Sequence, residues 1–209
     1  MKKTNNLLCF LLSFAMLVSL LTQVAFAESI NITTETDFLS ALANTETTEM
    51  NITDNVSVDA SIEKSIDINV KSGATLTLNY DEGENGISRV CNANIKVEDG
   101  ANVIFESKPS NDSKAKRYLI MNGSFTLESG ASAKISKKLN PIGGILFQGE
   151  FKNDGTLDCG AMNIGQPNLY VYIKFGVNSG KVTNGYVAYN LCRETPTDET
   201  ISNKAIRVI

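Results

Sequence analysis

A short phrase repeats along this chain and constrains its fold more than any other feature. The phrase INVKSGATLTL at residues 68–78 returns, with small changes, at residues 95–105, 125–135, 151–159 and 175–182. Each copy alternates apolar and polar residues, breaks at a polar residue next to a Gly, and then alternates again. Alternation predicts a β-strand, and the Gly predicts a tight turn with positive φ. Each copy therefore predicts a strand, a turn and a second strand.

The spacing of the copies predicts how they assemble. Their turn glycines recur every 25 to 30 residues, at Gly73, Gly100, Gly130, Gly155 and Gly180. The segments before the copies also align, since residues 119–125 match 145–151 and then 169–175. A period of this size indicates one solenoid coil per repeat, with each coil covering its neighbour. We expect an all-β, parallel β-solenoid of about six coils, in which like positions stack.

Over residues 30–190 the chain resembles the right-handed parallel β-helix, or pectate-lyase-like, superfamily of secreted and surface proteins. The resemblance rests on the period, the turn glycines and the N-terminal segment, and it includes no catalytic motif. It implies a right-handed solenoid with a covered first coil. Enzymes of this superfamily cleave polysaccharides and commonly bind Ca²⁺, so the resemblance offers both as alternatives to test.

Residues 1–27 have the pattern of a secretory signal peptide. Lys2 and Lys3 precede an apolar stretch, which ends in Ala25-Phe26-Ala27. The stretch is short for a bilayer span and its small-residue ending favours cleavage over a membrane anchor. We expect a secreted, extracellular or cell-surface protein with no membrane span after cleavage. The leader has the pattern of a bacterial signal peptide.

The remaining chain divides into three predicted parts. Residues 28–49 form a cap segment with an amphipathic helix at 34–43, in which Thr34 is the N-cap and Asp37 completes an approximate capping box. The predicted apolar face of this helix consists of Phe38, Leu39, Ala41 and Leu42. Residues 50–190 form the solenoid. Residues 191–209 are a polar linker and a terminal strand, which either folds back over the last coil or is open to a partner chain.

The charge balance restricts the partners. The chain has 19 basic and 23 acidic side chains, and loss of Lys2 and Lys3 with the leader makes it more acidic. Without a basic cluster, neither nucleic acid nor an anionic membrane is expected to bind. The chain has no histidine, which rules out Ser-His-Asp and Cys-His catalysis. It also has no C-x-x-C pair of the kind that binds zinc.

Three cysteines follow the leader, at positions 91, 159 and 192. An odd number leaves at least one thiol unpaired, and spacing does not define a pairing among Cys91, Cys159 and Cys192. Cys159 aligns with Leu78, Phe105 and Ile135, so we interpret it as a small core residue.

Acidic residues recur before the turn glycines, at Glu98, Asp99, Glu128 and Asp154. Stacked at coil spacing, these carboxylates form the candidate site for Ca²⁺, although nearby Lys96 and Lys152 favour a solvated edge of mixed charge. No catalytic residue, metal site or cofactor is assigned. A lyase or hydrolase would have to draw on Glu98, Glu128, Asp154, Lys96 and Lys152.

Two further columns lie just before the repeats. One contains Asn92, Asn122, Gln148 and Tyr172, and the other contains Val90, Ile120, Leu146 and Tyr170. The first column predicts an internal amide ladder at a bend. If the chain instead runs straight, both columns face outward as an apolar stripe. The candidate ligand-binding residues of this stripe are Tyr170, Tyr172 and Tyr186, which would stack on sugar rings or contact another protein.

The sequence favours a non-catalytic extracellular module, either surface-exposed and adhesin-like or polysaccharide-binding. Its expected partner is an extracellular polysaccharide or a surface protein. The alternatives are a pectate-lyase-like polysaccharide lyase or hydrolase, and a fragment of a longer surface protein. Three converging acidic and basic side chains would favour the enzyme, and side chains spread along an edge would favour the binding module.

Overall fold

The computed structural model describes residues 28–79, 89–106, 116–136, 142–159, 169–184, 186–189 and 205–207. These residues form a mostly β structure with one helix and two sheets, one of which is strongly curled. The sheets are parallel except at one terminal pair of strands. Parallel sheets are consistent with a fold of the parallel β-helix type.

The larger sheet, called sheet A, contains eleven of the strands in the described ranges. These are β1 (Glu28–Ile32), β2 (Thr47–Ile52), β4 (Asp67–Val70), β6 (Arg89–Cys91), β7 (Asn94–Val97), β9 (Lys116–Met121), β10 (Phe125–Leu127), β12 (Ile142–Asn153), β14 (Leu169–Asn178), β16 (Tyr186–Tyr189) and β17 (Ala205–Arg207). The main path runs β1-β2-β4-β7-β10-β12-β14-β16-β17. Beside this path, β9 pairs with β12, and β6 pairs with β9.

The smaller sheet, called sheet B, holds the second strand of each repeat. In chain order its strands are β3 (Asn55–Val58), β5 (Thr75–Asn79), β8 (Asn102–Glu106), β11 (Ser132–Ser136), β13 (Thr156–Asp158) and β15 (Lys181–Thr183). They pair in that same order across the sheet. Every repeated phrase therefore starts in sheet A, turns, and continues in sheet B, as its alternation predicts.

Equivalent positions of the central repeats stack, which confirms the predicted alignment. In sheet A, Ile68, Ile95, Phe125 and Phe151 are neighbours in register. In sheet B, Leu78, Phe105 and Ile135 form a second buried column. Four phenylalanines join the columns, with ring centroids 4.9 to 6.0 Å apart, namely Phe105, Phe125, Phe147 and Phe151.

The turn glycines serve two different purposes. Gly73, Gly100 and Gly130 have φ of 82°, 73° and 83°, as the tight-turn interpretation predicts. Gly155 and Gly180 do not have positive φ, so the prediction was wrong for them. They are crowded instead, because a Cβ atom at either position would lie 2.3 Å from a backbone carbonyl oxygen of the neighbouring strand or turn.

The predicted alignment of residues 169–175 with 145–151 was wrong. Val171 and Ile173 pair with Ile145 and Phe147, so the start of β14 is displaced by two residues from the predicted match. After a register shift in β12, Phe175 pairs with Glu150 and Gly176 pairs with Phe151. Periodicity alone does not reveal this shift.

The helix, α1 (Glu35–Ala43), begins as predicted. The Thr34 hydroxyl accepts a hydrogen bond from the Asp37 backbone N–H at 3.1 Å. Hydrogen bonds from Thr34 and Thr33 in turn lower the pKa of the Asp37 carboxyl. Phe38 and Ala41 are buried. Leu39, which was predicted to join this apolar face, is 42% exposed, because it lies one position around the helix from Phe38.

At the other end, β17 pairs antiparallel with β16, so the terminal strand folds back along the sheet. The predicted leader, residues 1–27, and Cys192 lie outside the described residues, as does most of the polar linker. No helix in the described part of the chain is long and apolar enough to cross a membrane.

One buried position breaks the apolar pattern. Asn153 follows the aliphatic residues Val97 and Leu127 in register and pairs on its other side with Asn178, yet it is fully buried. Its Nδ2 donates to Asn178 Oδ1 at 2.7 Å and to the Lys181 carbonyl oxygen at 3.3 Å, while its Oδ1 accepts from the Gly155 N–H at 3.1 Å. The amide therefore joins the last two turns.

We expect Asn153→Leu to lower the free energy of unfolding by about 1–3 kcal/mol, because it leaves buried polar groups without partners. Urea denaturation followed by circular dichroism measures the change. The matched control is Asn31→Leu at an exposed position, for which we expect a change within about 0.5 kcal/mol. Equal stability of the Asn153→Leu variant and the wild type would contradict this role.

Candidate functional site

The residues predicted for a catalytic alternative do not converge. Instead, each carboxylate forms an ion pair with a lysine along the edge where the chain turns from sheet A to sheet B. Glu98 pairs with Lys71 at 2.7 Å, Glu128 with Lys96 at 2.8 Å, and Asp154 with Lys152 at 2.8 Å. The sequence interpretation of a solvated edge of mixed charge therefore matches the geometry.

These pairs oppose two acid-base roles at the edge, namely a lysine acting as general base and Glu128 acting as general acid. The hydrogen bond and charge of Glu128 raise the pKa of Lys96, and those of Asp154 raise the pKa of Lys152. The hydrogen bond from Lys96 lowers the pKa of Glu128. A lysine that acts as a general base needs a lowered pKa, and a carboxyl that acts as a general acid needs a raised one. All three shifts have the opposite sign.

Metal and thiol chemistry also lack a site within the described ranges. No group of three or more Cys, Asp or Glu residues there is arranged to hold a metal ion. Cys91 and Cys159 are free and buried, which confirms Cys159 as a core residue. Burial raises the pKa of Cys91 to about 11 and that of Cys159 to about 12, so neither thiol forms a reactive thiolate at neutral pH.

The predicted amide ladder forms at the bend between β9 and β10. Asn122 Nδ2 donates to Asn92 Oδ1 at 2.8 Å, and Asn92 Nδ2 donates to the Glu63 carbonyl oxygen at 2.7 Å. Contrary to the prediction, the ladder is not internal, because Asn122 is exposed. Gln148, the next member, is exposed within the continuous strand β12.

An outward apolar row lies beside this bend. Val90, Ile120 and Leu146 are neighbours in register and are partly exposed. The next position in that row is Tyr172, whereas Tyr170 pairs with Gly144. Tyr172 therefore continues the apolar row instead of the amide column, and Tyr170 continues neither predicted column, because of the register displacement described above.

The third candidate residue, Tyr186, starts β16 and pairs with Arg207. The side chains of all three tyrosines lie outside the described part of the structure. Their roles therefore stay predictions.

A polar groove, which sequence reasoning missed, lies on the outer face of sheet A. It has a volume of about 360 Å³ and crosses β2, β4, β7 and the start of β10. The lining residues are Glu49, Asp67, Asn69, Asn94, Ile95, Lys96, Ser124 and Thr126. Four strands at a spacing of about 4.8 Å make the groove about 14 Å long across the sheet.

Hydrogen bonds fix the side chains of this groove. Asn94 Nδ2 donates to Asp67 Oδ1 at 2.9 Å, and Asn94 Oδ1 accepts from the Ser124 N–H and hydroxyl at 3.0 and 3.1 Å. Glu49 Oε1 accepts from the Ser29 hydroxyl at 3.0 Å. One asparagine thus connects three strands, so the polar groups of the groove are held in place.

The signal for the groove exists in the sequence, but only across repeats. Glu49, Asp67 and Asn94 are consecutive neighbours in register on β2, β4 and β7. Each follows the alternation of its own strand as an outward polar residue. Their proximity becomes visible only when the register is known.

Searches for similar proteins find no matching family model, curated protein or solved structure. The resemblance to the pectate-lyase-like superfamily therefore rests on the repeat pattern, and the parallel sheets are consistent with it.

Proposed function

We propose that this protein is a non-catalytic extracellular module, adhesin-like in character, that binds polysaccharide on the outer faces of its sheets. In this proposal the two sheets are faces of a right-handed β-solenoid of about six coils, and α1 caps its first coil. Residues 1–27 direct export and are then removed. The six strands of sheet B support the coil number, and the buried Phe38 supports the capping role.

The observation that carries the proposal is the arrangement of charged side chains. The candidate acids and bases form successive ion pairs along the edge, between Lys71 and Glu98, Lys96 and Glu128, and Lys152 and Asp154. A catalytic centre requires such groups to converge on one reacting atom. Rows of fixed polar groups on a broad sheet suit binding to an extended partner.

The outward apolar row gives this binding module a stacking surface. It contains Val90, Ile120 and Leu146 and continues in register to Tyr172. We propose that Tyr172, with Tyr170 and Tyr186 nearby, stacks on the apolar faces of sugar rings. Aromatic rings supply this kind of contact with little loss of conformational freedom.

A glycan array probed with the purified protein, with and without a calcium chelator, tests the proposed function. We expect binding that survives chelation. For a glycan that binds, we expect Tyr172→Ala to weaken affinity about three- to tenfold, since one aromatic contact contributes roughly 0.5–1.5 kcal/mol.

The matched control is Tyr172→Phe, which keeps the ring and should keep most of the affinity. Absence of binding to every glycan would contradict the proposed function. Equal binding by the Ala variant would remove the tyrosines from the site without removing the function.

A further inference from the structure

We infer that the polar groove on sheet A is a binding site for an oligosaccharide that carries amino groups, recognised by the carboxylates of Glu49 and Asp67. This inference rests on the proposed glycan-binding function, but not on the tyrosine row. It assigns a second surface and a definite ligand chemistry.

The charge of the groove is the first argument. Its lysine, Lys96, is neutralised by Glu128 at 2.8 Å. Among the described residues no lysine or arginine forms an ion pair with Glu49 or Asp67. Within the described ranges the groove therefore has two carboxylates without a cationic partner, on a chain of net charge −4. Such a site attracts a cationic ligand and repels uronic acids and sulfated sugars.

The inventory of donors and acceptors is the second argument. Beside the carboxylates, the groove presents the amides of Asn69 and Asn94 and the hydroxyls of Ser124 and Thr126. Amides and hydroxyls both donate and accept, which matches sugar hydroxyl groups. The ammonium groups of a lysine-rich peptide would use only the acceptors of the groove, whereas an amino sugar carries hydroxyl groups beside its amino group on every unit. Carboxylates next to mixed amide and hydroxyl groups therefore fit an amino sugar.

The rigidity of the site is the third argument. Asn94 holds both Asp67 and Ser124, and Glu49 is held by Ser29. Side chains that are already ordered lose little conformational freedom when a ligand binds. A preformed row about 14 Å long, across strands about 4.8 Å apart, suits successive sugar units of an extended chain.

Isothermal titration of the purified protein with a glucosamine oligomer tests this inference. The comparison ligands are the N-acetylated oligomer, an oligogalacturonate and a lysine hexapeptide. We expect the glucosamine oligomer to bind most tightly, with an affinity that falls as salt rises, and the oligogalacturonate to bind least.

The double variant Glu49→Gln and Asp67→Asn removes both charges but keeps the acceptor oxygens for Ser29 and Asn94. We expect it to weaken binding of the glucosamine oligomer about tenfold or more, because charge-assisted hydrogen bonds are roughly twice as strong as neutral ones. The matched control, Asp54→Asn with Glu63→Gln, removes two exposed charges outside the groove. We expect it to change the affinity less than about twofold, since exposed charges that do not contact the ligand are screened by salt.

The outcomes separate this inference from the proposed function. Equal weakening by the two double variants, or tighter binding of the lysine peptide or oligogalacturonate, would overturn the assignment of the groove. If in that case the protein still bound another glycan, the proposed function would stand. If it bound no glycan at all, both would fail.

Discussion

Replacement of Phe125 by alanine is expected to lower the free energy of unfolding by about 3–5 kcal/mol, the range for truncation of a buried aromatic side chain. Phe125 is fully buried at the centre of the phenylalanine cluster. Its ring centroid lies 5.5 Å from that of Phe105, 5.2 Å from that of Phe147 and 6.0 Å from that of Phe151. Loss of the ring removes contacts with two rings of β12 in sheet A and with one ring of β8 in sheet B.

Urea denaturation of the Phe125→Ala variant, followed by circular dichroism, measures this change. The control is Thr126→Ala, because Thr126 is the next residue of β10 and is partly exposed. We expect the control to change stability by about 0.5 kcal/mol or less. A loss below about 1 kcal/mol for Phe125→Ala would be too small for a buried aromatic residue, and the packing of the two sheets around Phe125 would be incorrect.

The second large effect is expected at Gly123, in the bend between β9 and β10. A Cβ atom there would lie 1.9 Å from the Ala93 carbonyl oxygen and 2.4 Å from its carbonyl carbon. Both are backbone atoms of the bend between β6 and β7, so no side chain can move aside. We expect Gly123→Ala to destabilise the protein by about 3 kcal/mol, at the upper end of the range for overpacking.

Gly73→Ala provides a control, because at Gly73 the backbone conformation disfavours alanine and crowding does not. Gly73 has a positive φ of 82°, but a Cβ atom there would meet nothing within 4 Å. We expect this variant to lose only about 1–2 kcal/mol, the conformational penalty of the left-handed region. Thermal and urea unfolding of the two variants show which one loses more stability. A larger loss for Gly73→Ala would contradict the close approach of the strands at Gly123.

Much of the fold could be predicted because the repeat encodes local structure and core positions together. The alternation around Gly73 and around Gly100 predicted two strands joined by a turn, and the structure confirms the strands and the turn in both repeats. The N-cap at Thr34 followed from its spacing to Asp37. These features depend on a few neighbouring residues, which the sequence presents directly.

The sequence predictions were wrong where a residue's position depends on contacts between repeats. Phe175 resembles the first residue of a new repeat, but the register shift in β12 pairs it with Glu150. Gly155 resembles a turn glycine, but it is required by the nearby carbonyl oxygen of Ala131. Asn153 occupies an apolar column because its amide satisfies groups of the following turn.

The candidate sites also depend on contacts between repeats, which the sequence does not show. The ion pairs between Lys96 and Glu128 and between Lys152 and Asp154 neutralise the residues that an enzyme would need. The groove joins residues of four strands that are distant in the sequence, from Glu49 in β2 to Thr126 in β10. Outward polar residues are common on every strand, so only the register distinguishes those that form a site.

The central claim, that this protein binds polysaccharide without cleaving it, is tested most directly by the fate of a bound glycan. Each glycan that binds should be incubated with the protein, with and without Ca²⁺, and its chain length measured by mass spectrometry. We predict full recovery of the intact glycan in both conditions. Shortened products that disappear in the Glu128→Gln or Lys96→Met variant would contradict the claim and identify the ion-paired edge as catalytic.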